Sequence, residues 1–282
     1  MKKTAQTKLH QLQKLLQTMK SCAIAYSGGV DSTFLIKVAY DVLGENALAI
    51  TATSSTYPQR EFTQAKNLAK NIGITHLSIH SEELALDQFS QNPPDRCYYC
   101  KKALFTKIKH VAHQHHLSFV LDGSNADDTA DYRPGARARD ELGIISPLQQ
   151  VGLTKQEIRD LSQLMHLKTA DKPPFACLAS RFPYGVKITK ERLIQVEQAE
   201  THLLNLGVHQ CRVRYHNDTA RIEVESPEFP LILTHAEEIV KRFKHLGFSY
   251  VTLDIEGYRT GSLNEVLHED KKNASRLQKR KN

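Results

Sequence analysis

The chain is 282 residues long, 40% hydrophobic and 24% charged, with 38 basic against 31 acidic residues and a net charge of +7. This is the composition of a globular protein with one large domain or two modest ones. No apolar run approaches the roughly 20 residues that span a bilayer, and the lysine-containing start lacks a signal peptide's apolar core, so neither a membrane partner nor export is expected.

The charge is local. Lys271, Lys272, Arg276, Lys279, Arg280 and Lys281 fall in 271–282 with no acid among them, which leaves 32 basic against 31 acidic residues elsewhere, a net of +1. A nearly neutral body argues against nucleic acid, whose affinity rests on phosphate contacts. A short basic end reads as a solvated, disordered tail. The five cysteines suit a reducing cytoplasm, where C-x-x-C serves metal or redox chemistry.

In chain order, Leu9, Leu12, Leu15, Leu16 and Met19 predict a helix over about 6–20. "CAIAYS" (22–27) reads as a buried strand, followed by a glycine turn and a helix through about 44. Strands at 47–53 and 74–80 flank a helix over 60–73, and a helix over about 101–116 leads into a fourth strand at 118–123. This alternation predicts an α/β fold, a doubly wound parallel sheet. A capped helix covers 154–167 before Pro173 and Pro174 break the pattern. Then come a helix (189–206), strands at 210–216 and 219–225, a helix (about 230–246) and a strand (249–255). The expected organisation is a domain over 1–168, a cysteine-bearing connecting loop over 169–188, a smaller α+β domain over 189–260, and the basic tail over 261–282.

"AIAYSGGVDSTFL" (23–35) places Ser27, Gly28, Gly29, Asp31 and Ser32 between a buried strand and a helix N-terminus, where outward N–H groups and the helix dipole favour an anion. It is neither a Walker A sequence nor G-x-G-x-x-G. It resembles the PP-loop, SGGxDS, of the ATP pyrophosphatases; the plainer reading is a tight turn that suits glycine. Asp31 is a candidate ligand for Mg²⁺ on the departing pyrophosphate. "DGSNADDTADYRPGARARDELG" (122–143) follows the fourth strand at the sheet edge where such folds bind ligands. Its Asp127, Asp128, Asp131 and Arg133 are candidates to complete a nucleotide and metal site, or form a polar surface loop.

Cys22 and Cys211 lie on strand faces and read as packing. That leaves Cys97 and Cys100, placed just ahead of the 101–116 helix, and Cys177 in "PPFACLASRFPYG". A structural zinc site would need a histidine to complete four ligands. A four-iron cluster on three cysteines would keep one iron open for an exogenous sulfide. Three unrelated thiols is the bland alternative. His110 and His113 share a helix face but read as solvated.

In the smaller domain Glu200 falls on the core stripe of the 189–206 helix, where a carboxylate needs a partner or a function. A two-residue hairpin through Asn217–Asp218 sets Arg212 against Glu223 and Arg214 against Arg221 on one sheet face. Facing arginines repel by about 0.2–1 kcal/mol, so the face either holds a phosphate between them or is solvated.

The chain resembles the LarE family of ATP-dependent sulfur transferases over nearly its whole length. The resemblance rests on "AYSGGVDSTFLIKVAYDVLG", "LDGSNADDTADYRPGARARDELG", "SRFPYG", "RVRYHNDTARIEV" and "LGFSYVTLDIEGYRTGSLNE". It implies ATP at Ser27, Gly28, Gly29, Asp31, Ser32, Asp128 and Arg133, with Mg²⁺ on Asp31. Catalytic roles would fall to Cys177, Asp31, Ser180, Arg181 and Glu200, and the substrate phosphate to Arg212, Arg214 and Glu223. The implied substrate is pyridinium-3,5-biscarboxylic acid mononucleotide, adenylated and thiolated at both carboxylates for the nickel-pincer cofactor of lactate racemase. Single-cysteine members sacrifice the cysteine that corresponds to Cys177. The added Cys97 and Cys100 make this chain look like the three-cysteine type, in which a 4Fe–4S cluster carries a sulfide. The family also implies a homo-oligomer built partly through the small domain. The rival readings are a tRNA thiolase with a similar thiol set and a nucleotide-binding redox sensor. An ammonia-using amidotransferase would not need the thiols.

Overall fold

A computed structural model describes residues 4–130 and 134–265, and the chain divides into two compact units, Met1–Cys177 and Leu178–Asn282. Asp131, Arg133 and the basic 271–282 segment lie outside the described residues.

The first unit runs α1 (Ala5–Met19), β1 (Cys22–Ala25), α2 (Val30–Leu43), β2 (Ala47–Thr53), α3 (Gln59–Ile72), β3 (Thr75–His80), α4 (Asp87–Ser90) and α5 (Arg96–Gln114). It continues with β4 (Phe119–Leu121), α6 (Pro134–Glu141), α7 (Pro147–Gln150) and α8 (Lys155–Leu164). The four strands are parallel in the order β3-β2-β1-β4. Alternate strand residues face opposite layers, as the period of two requires. Cys22, Ile24, Ala47 and Ala49 join Leu9, Leu12, Leu16, Phe34 and Leu35 on one side. Ala23, Leu48 and Ile50 join Phe105, Ile108 and Val120 on the other. Helices thus cover both faces of a doubly wound sheet. Cys22 is core, and burial pushes its thiol up to about 12.

The helix expected over 101–116 begins five residues earlier, at Arg96. The C-x-x-C therefore does not precede the helix but lies within its first two turns. Pro93 and Pro94 set this start, since a helix entrance has no need of the missing N–H groups, and Arg96 Nη1 donates to Asn92 Oδ1 at 2.8 Å across it.

The second unit holds α9 (Lys190–Asn205), β5 (Cys211–His216), β6 (Thr219–Val224), α10 (Phe229–Thr234), α11 (Ala236–His245) and β7 (Tyr250–Leu253). β5 and β6 are antiparallel with Arg212 opposite Glu223 and Arg214 opposite Arg221, turned through Asn217 at φ 57°. The single helix expected over 230–246 is two, broken at His235. Thr234 Oγ1 donates back to Pro230 O at 2.8 Å, the local bond by which threonine competes with helix continuation.

Candidate active site

The turn between β1 and α2 is shaped by its carbonyls. Tyr26 O accepts from Thr51 Oγ1 (2.9 Å), Ser27 O from Tyr57 Oη (2.8 Å), Gly28 O from Lys172 Nζ (3.2 Å) and Gly29 O from Thr33 N (2.9 Å). The amides of Gly28 and Gly29 find no acceptor among the described residues. Four consecutive carbonyls are thus engaged while donors are left at the entrance of α2, which is the electrostatics of an anion cradle. Gly28 has φ 67°, and a Cβ there would lie 2.8 Å from Ala65 Cβ, so conformation and space both demand glycine. Ser27 is exposed, whereas Ser32 is buried and its hydroxyl lies 3.2 Å from that of Ser27.

Asp31, in the first turn of α2, accepts from Lys155 Nζ at 2.5 Å and from Asn125 Nδ2 at 3.2 Å. The loop after β4 comes close enough that a Cβ on Gly123 would stand 3.1 Å from the backbone nitrogen of Ser32. Within that loop Asp128 Oδ2 accepts from Asn125 N and Asp127 Oδ2 from Lys155 N, so both carboxylates brace the turn.

Cys97 and Cys100 stand one helical turn apart on α5; Cys97 is exposed, and Cys100 and Cys177 are half-buried. Desolvation of its sulfur, and then the charge of Cys177, push the Cys97 thiol above its usual range. For Cys100 the causes are desolvation, then Glu83, then Cys177. The three sulfurs thus share one electrostatic neighbourhood. Glu83 itself is buried and accepts from Ser54 Oγ and Thr56 Oγ1, both at 2.5 Å. Burial alone would raise its carboxyl, but these hydroxyls and that of Ser81 hold it below the usual range.

Among the described residues no group of three or more His, Cys, Asp and Glu closes on a metal ion. His110 and His113 lie exposed on α5. A hard cation that comes in with phosphates needs only one or two carboxylates, and Asp31 fits that demand. By ligand type alone, three thiols are the donors of an iron–sulfur cluster and fall one ligand short of a closed four-ligand zinc site.

In the second unit Arg181 is fully buried and grips Glu200 with two prongs, Nε to Oε1 at 2.8 Å and Nη2 to Oε2 at 2.9 Å. Glu200 Oε1 also accepts from Val213 N at 3.0 Å. The partner required by a carboxylate on the core stripe is therefore Arg181. Ser180 Oγ lies 3.0 Å from Arg181 Nη1, and Ser180 O accepts from Arg214 Nη1 at 2.7 Å. Between the facing arginines stands a carboxylate of the chain itself: Glu223 takes Arg214 Nη2 at 2.8 Å and Arg221 Nη2 at 2.9 Å. Their mutual repulsion thus calls for no bound phosphate. The guanidiniums of Arg181, Arg212 and Arg214 and the carboxylates of Glu200 and Glu223 are all buried in this unit, and Arg181 and Arg214 both reach Ser180.

The sequence picked out the glycine turn, the thiols and the arginine face, but not Thr51, Tyr57, Glu83, Asn125, Lys155 or Lys172. Asn125 lies in the quoted 122–143 stretch but its amide carries no signal of its own there; the others lie in no motif and are brought to the site by tertiary contact alone.

A family model described as NAD synthase matches residues 6–116. The chain is 37% identical to the pyridinium-3,5-bisthiocarboxylic acid mononucleotide synthase of Lactiplantibacillus plantarum, over 94% of this chain and 96% of that one. It is 44% identical to an uncharacterized protein of Synechocystis sp., over 93% and 98%. A tRNA-specific 2-thiouridylase of Bradyrhizobium sp. is 27% identical over 68% of this chain and 59% of its own.

Proposed function

The chain belongs to the LarE family, and on that premise we propose that it is an ATP-dependent sulfurtransferase that converts the carboxylates of pyridinium-3,5-biscarboxylic acid mononucleotide to thiocarboxylates for the nickel-pincer cofactor. A carboxylate is a poor acyl donor. Its attack on the α-phosphate of ATP gives an acyl-adenylate and releases pyrophosphate, and sulfide then displaces AMP. The amides of Gly28 and Gly29 and the hydroxyl of Ser27 would hold the departing phosphates, and Asp31, on exchanging Lys155 for Mg²⁺, would hold the metal. Ser32, Asp128 and Arg133 remain candidates to complete the ATP site.

Cys97, Cys100 and Cys177 would hold a 4Fe–4S cluster, which supplies an iron free of protein ligand and a sulfide from an external source. The observation that carries this reading is that all three thiols fall in one electrostatic neighbourhood of the unit that bears the anion cradle. The second unit contributes Arg212 and Arg214, backed by the buried charge of Arg181, as a seat for the mononucleotide's phosphate. Glu200 and Glu223 fix those guanidiniums, and Ser180 stands among them. Exposed Leu233, Tyr250 and Ile255 suit a homo-oligomer formed through this unit.

The test is anaerobic reconstitution with iron and sulfide, followed by pyrophosphate release and turnover with the mononucleotide and, separately, with tRNA. Cluster absorption and several turnovers on the mononucleotide are expected. A single turnover with loss of the Cys177 sulfur would restore the sacrificial mechanism. Pyrophosphate release driven by tRNA alone would replace this reading with the thiolase.

A further inference from the structure

We propose that Tyr57 and Lys172 are positioning residues that aim the Gly28 and Gly29 amides at the nucleotide's phosphates; the identity of that ligand rests on the function proposed above. In a trans peptide the C=O of one residue and the N–H of the next point in opposite directions, and no peptide bond of this turn is cis. Tyr57 Oη holds Ser27 O at 2.8 Å, which turns the Gly28 N–H the opposite way. Lys172 Nζ holds Gly28 O at 3.2 Å, which does the same for the Gly29 N–H. Glycine would otherwise let these two planes rotate freely, so the aim comes from outside the loop.

Both anchors are themselves held. Lys172 Nζ also donates to Glu61 Oε2 at 2.7 Å and Gln64 Oε1 at 3.1 Å, and its side chain and that of Glu61 are largely buried. Arg159 takes the carbonyls of Ala170 and Lys172, which fixes the backbone from which the lysine reaches. Tyr57 is met edge-on by Phe175 with ring centroids 5.9 Å apart. The segment that aims the amides is therefore the one that leads into Cys177, five residues beyond Lys172 and two beyond Phe175.

The experiment measures Mg·ATP binding to the full-length wild type, Tyr57→Phe, Lys172→Met and Lys172→Arg by calorimetry, with KM for ATP and kcat from pyrophosphate release. Tyr57→Phe removes one hydroxyl and leaves the ring, so affinity is expected to fall about fivefold, the weight of one neutral hydrogen bond. Lys172→Met should lower it about tenfold or more, with the thermal midpoint as a control for folding and Lys172→Arg recovering part of the loss. KM for ATP should rise in both variants while kcat at saturating ATP changes less. Unaltered ATP affinity in both Tyr57→Phe and Lys172→Met would overturn the proposal and leave the proposed function standing. Wild type that binds ATP but releases no pyrophosphate would sink the proposed function instead, while weakened binding in the variants would still support the aiming role.

Discussion

Arg181 and Glu200 form a two-pronged ion pair with no route to solvent, their side chains 0% and 2% exposed. Removing either partner strands a charge in the core, so Arg181→Met or Glu200→Gln should each cost about 3–5 kcal/mol in urea unfolding. An apolar double replacement should recover much of that loss, because the desolvation of both charges goes with them. Single variants as stable as wild type would show that the pair is not the clamp it is taken to be.

Acid should act through the same pair. Burial, the largest influence, would raise the Glu200 carboxyl, but the charge and hydrogen bonds of Arg181, the charge of Arg212 and the Val213 amide together outweigh it and hold the group below the usual carboxylate range. Its stabilisation is fully present above the unfolded value of about 4.3 and is lost as pH falls through the lower folded value, because the unfolded chain binds the proton first. Unfolding free energy of the wild type should fall between about pH 5 and pH 3. In Glu200→Gln the slope over that window should be shallower.

Gly28→Ala asks for a side chain at φ 67° and 2.8 Å from Ala65 Cβ. The conformation alone costs about 1–3 kcal/mol, and relief of the clash would twist the turn. ATP affinity should be lost at least as severely as in the Tyr57 and Lys172 variants, as read by calorimetry. Alanine with wild-type binding would mean that the turn is not the anion cradle.

Asp31→Asn keeps the size of the side chain but removes the charge that now meets Lys155 and would meet Mg²⁺. Metal stabilisation of developing charge is worth several kcal/mol, so pyrophosphate release should fall about a hundredfold or more. Stability should change by less than about 1 kcal/mol, the weight of a partly exposed ion pair. A rate within a few-fold of wild type would exclude Asp31 as the metal's ligand.

Cluster loading should depend on pH in a stated direction. The Cys97 and Cys100 thiols are raised, and thus hold their protons at neutral pH, whereas metal ligation needs thiolates. Reconstitution followed by visible absorption should be more complete at pH 8.5 than at pH 6.5, with protons released on loading. Cys177→Ala should abolish multiple turnover while leaving ATP binding intact.

Much of this was legible in the residues. Alternation of apolar strands with amphipathic helices gave the parallel sheet, because periodicity reports which face is buried. The β5–β6 register followed from the turn at Asn217–Asp218 alone. The start of α5 was hidden, since Cys-Tyr-Tyr-Cys is no run of strong helix formers and the proline pair could equally have opened a loop. Glu223 between Arg214 and Arg221 was hidden for another reason. Register fixes which residues face each other, but not which side chain leans diagonally across the ladder. Lys155 and Lys172 were invisible because they reach the turn from 124 and 144 residues away.

Ala65 has a role that no inventory of reactive groups would give it. Its Cβ marks the limit to which the chain at Gly28 can come, and its carbonyl accepts the Tyr26 hydroxyl at 3.2 Å. Tolerance to mutation in this protein should therefore not grade smoothly with distance from the chemistry. On the helix that carries it, one small and chemically inert residue is as irreplaceable as an acid or a thiol, and a library selected for activity should yield no larger side chain there.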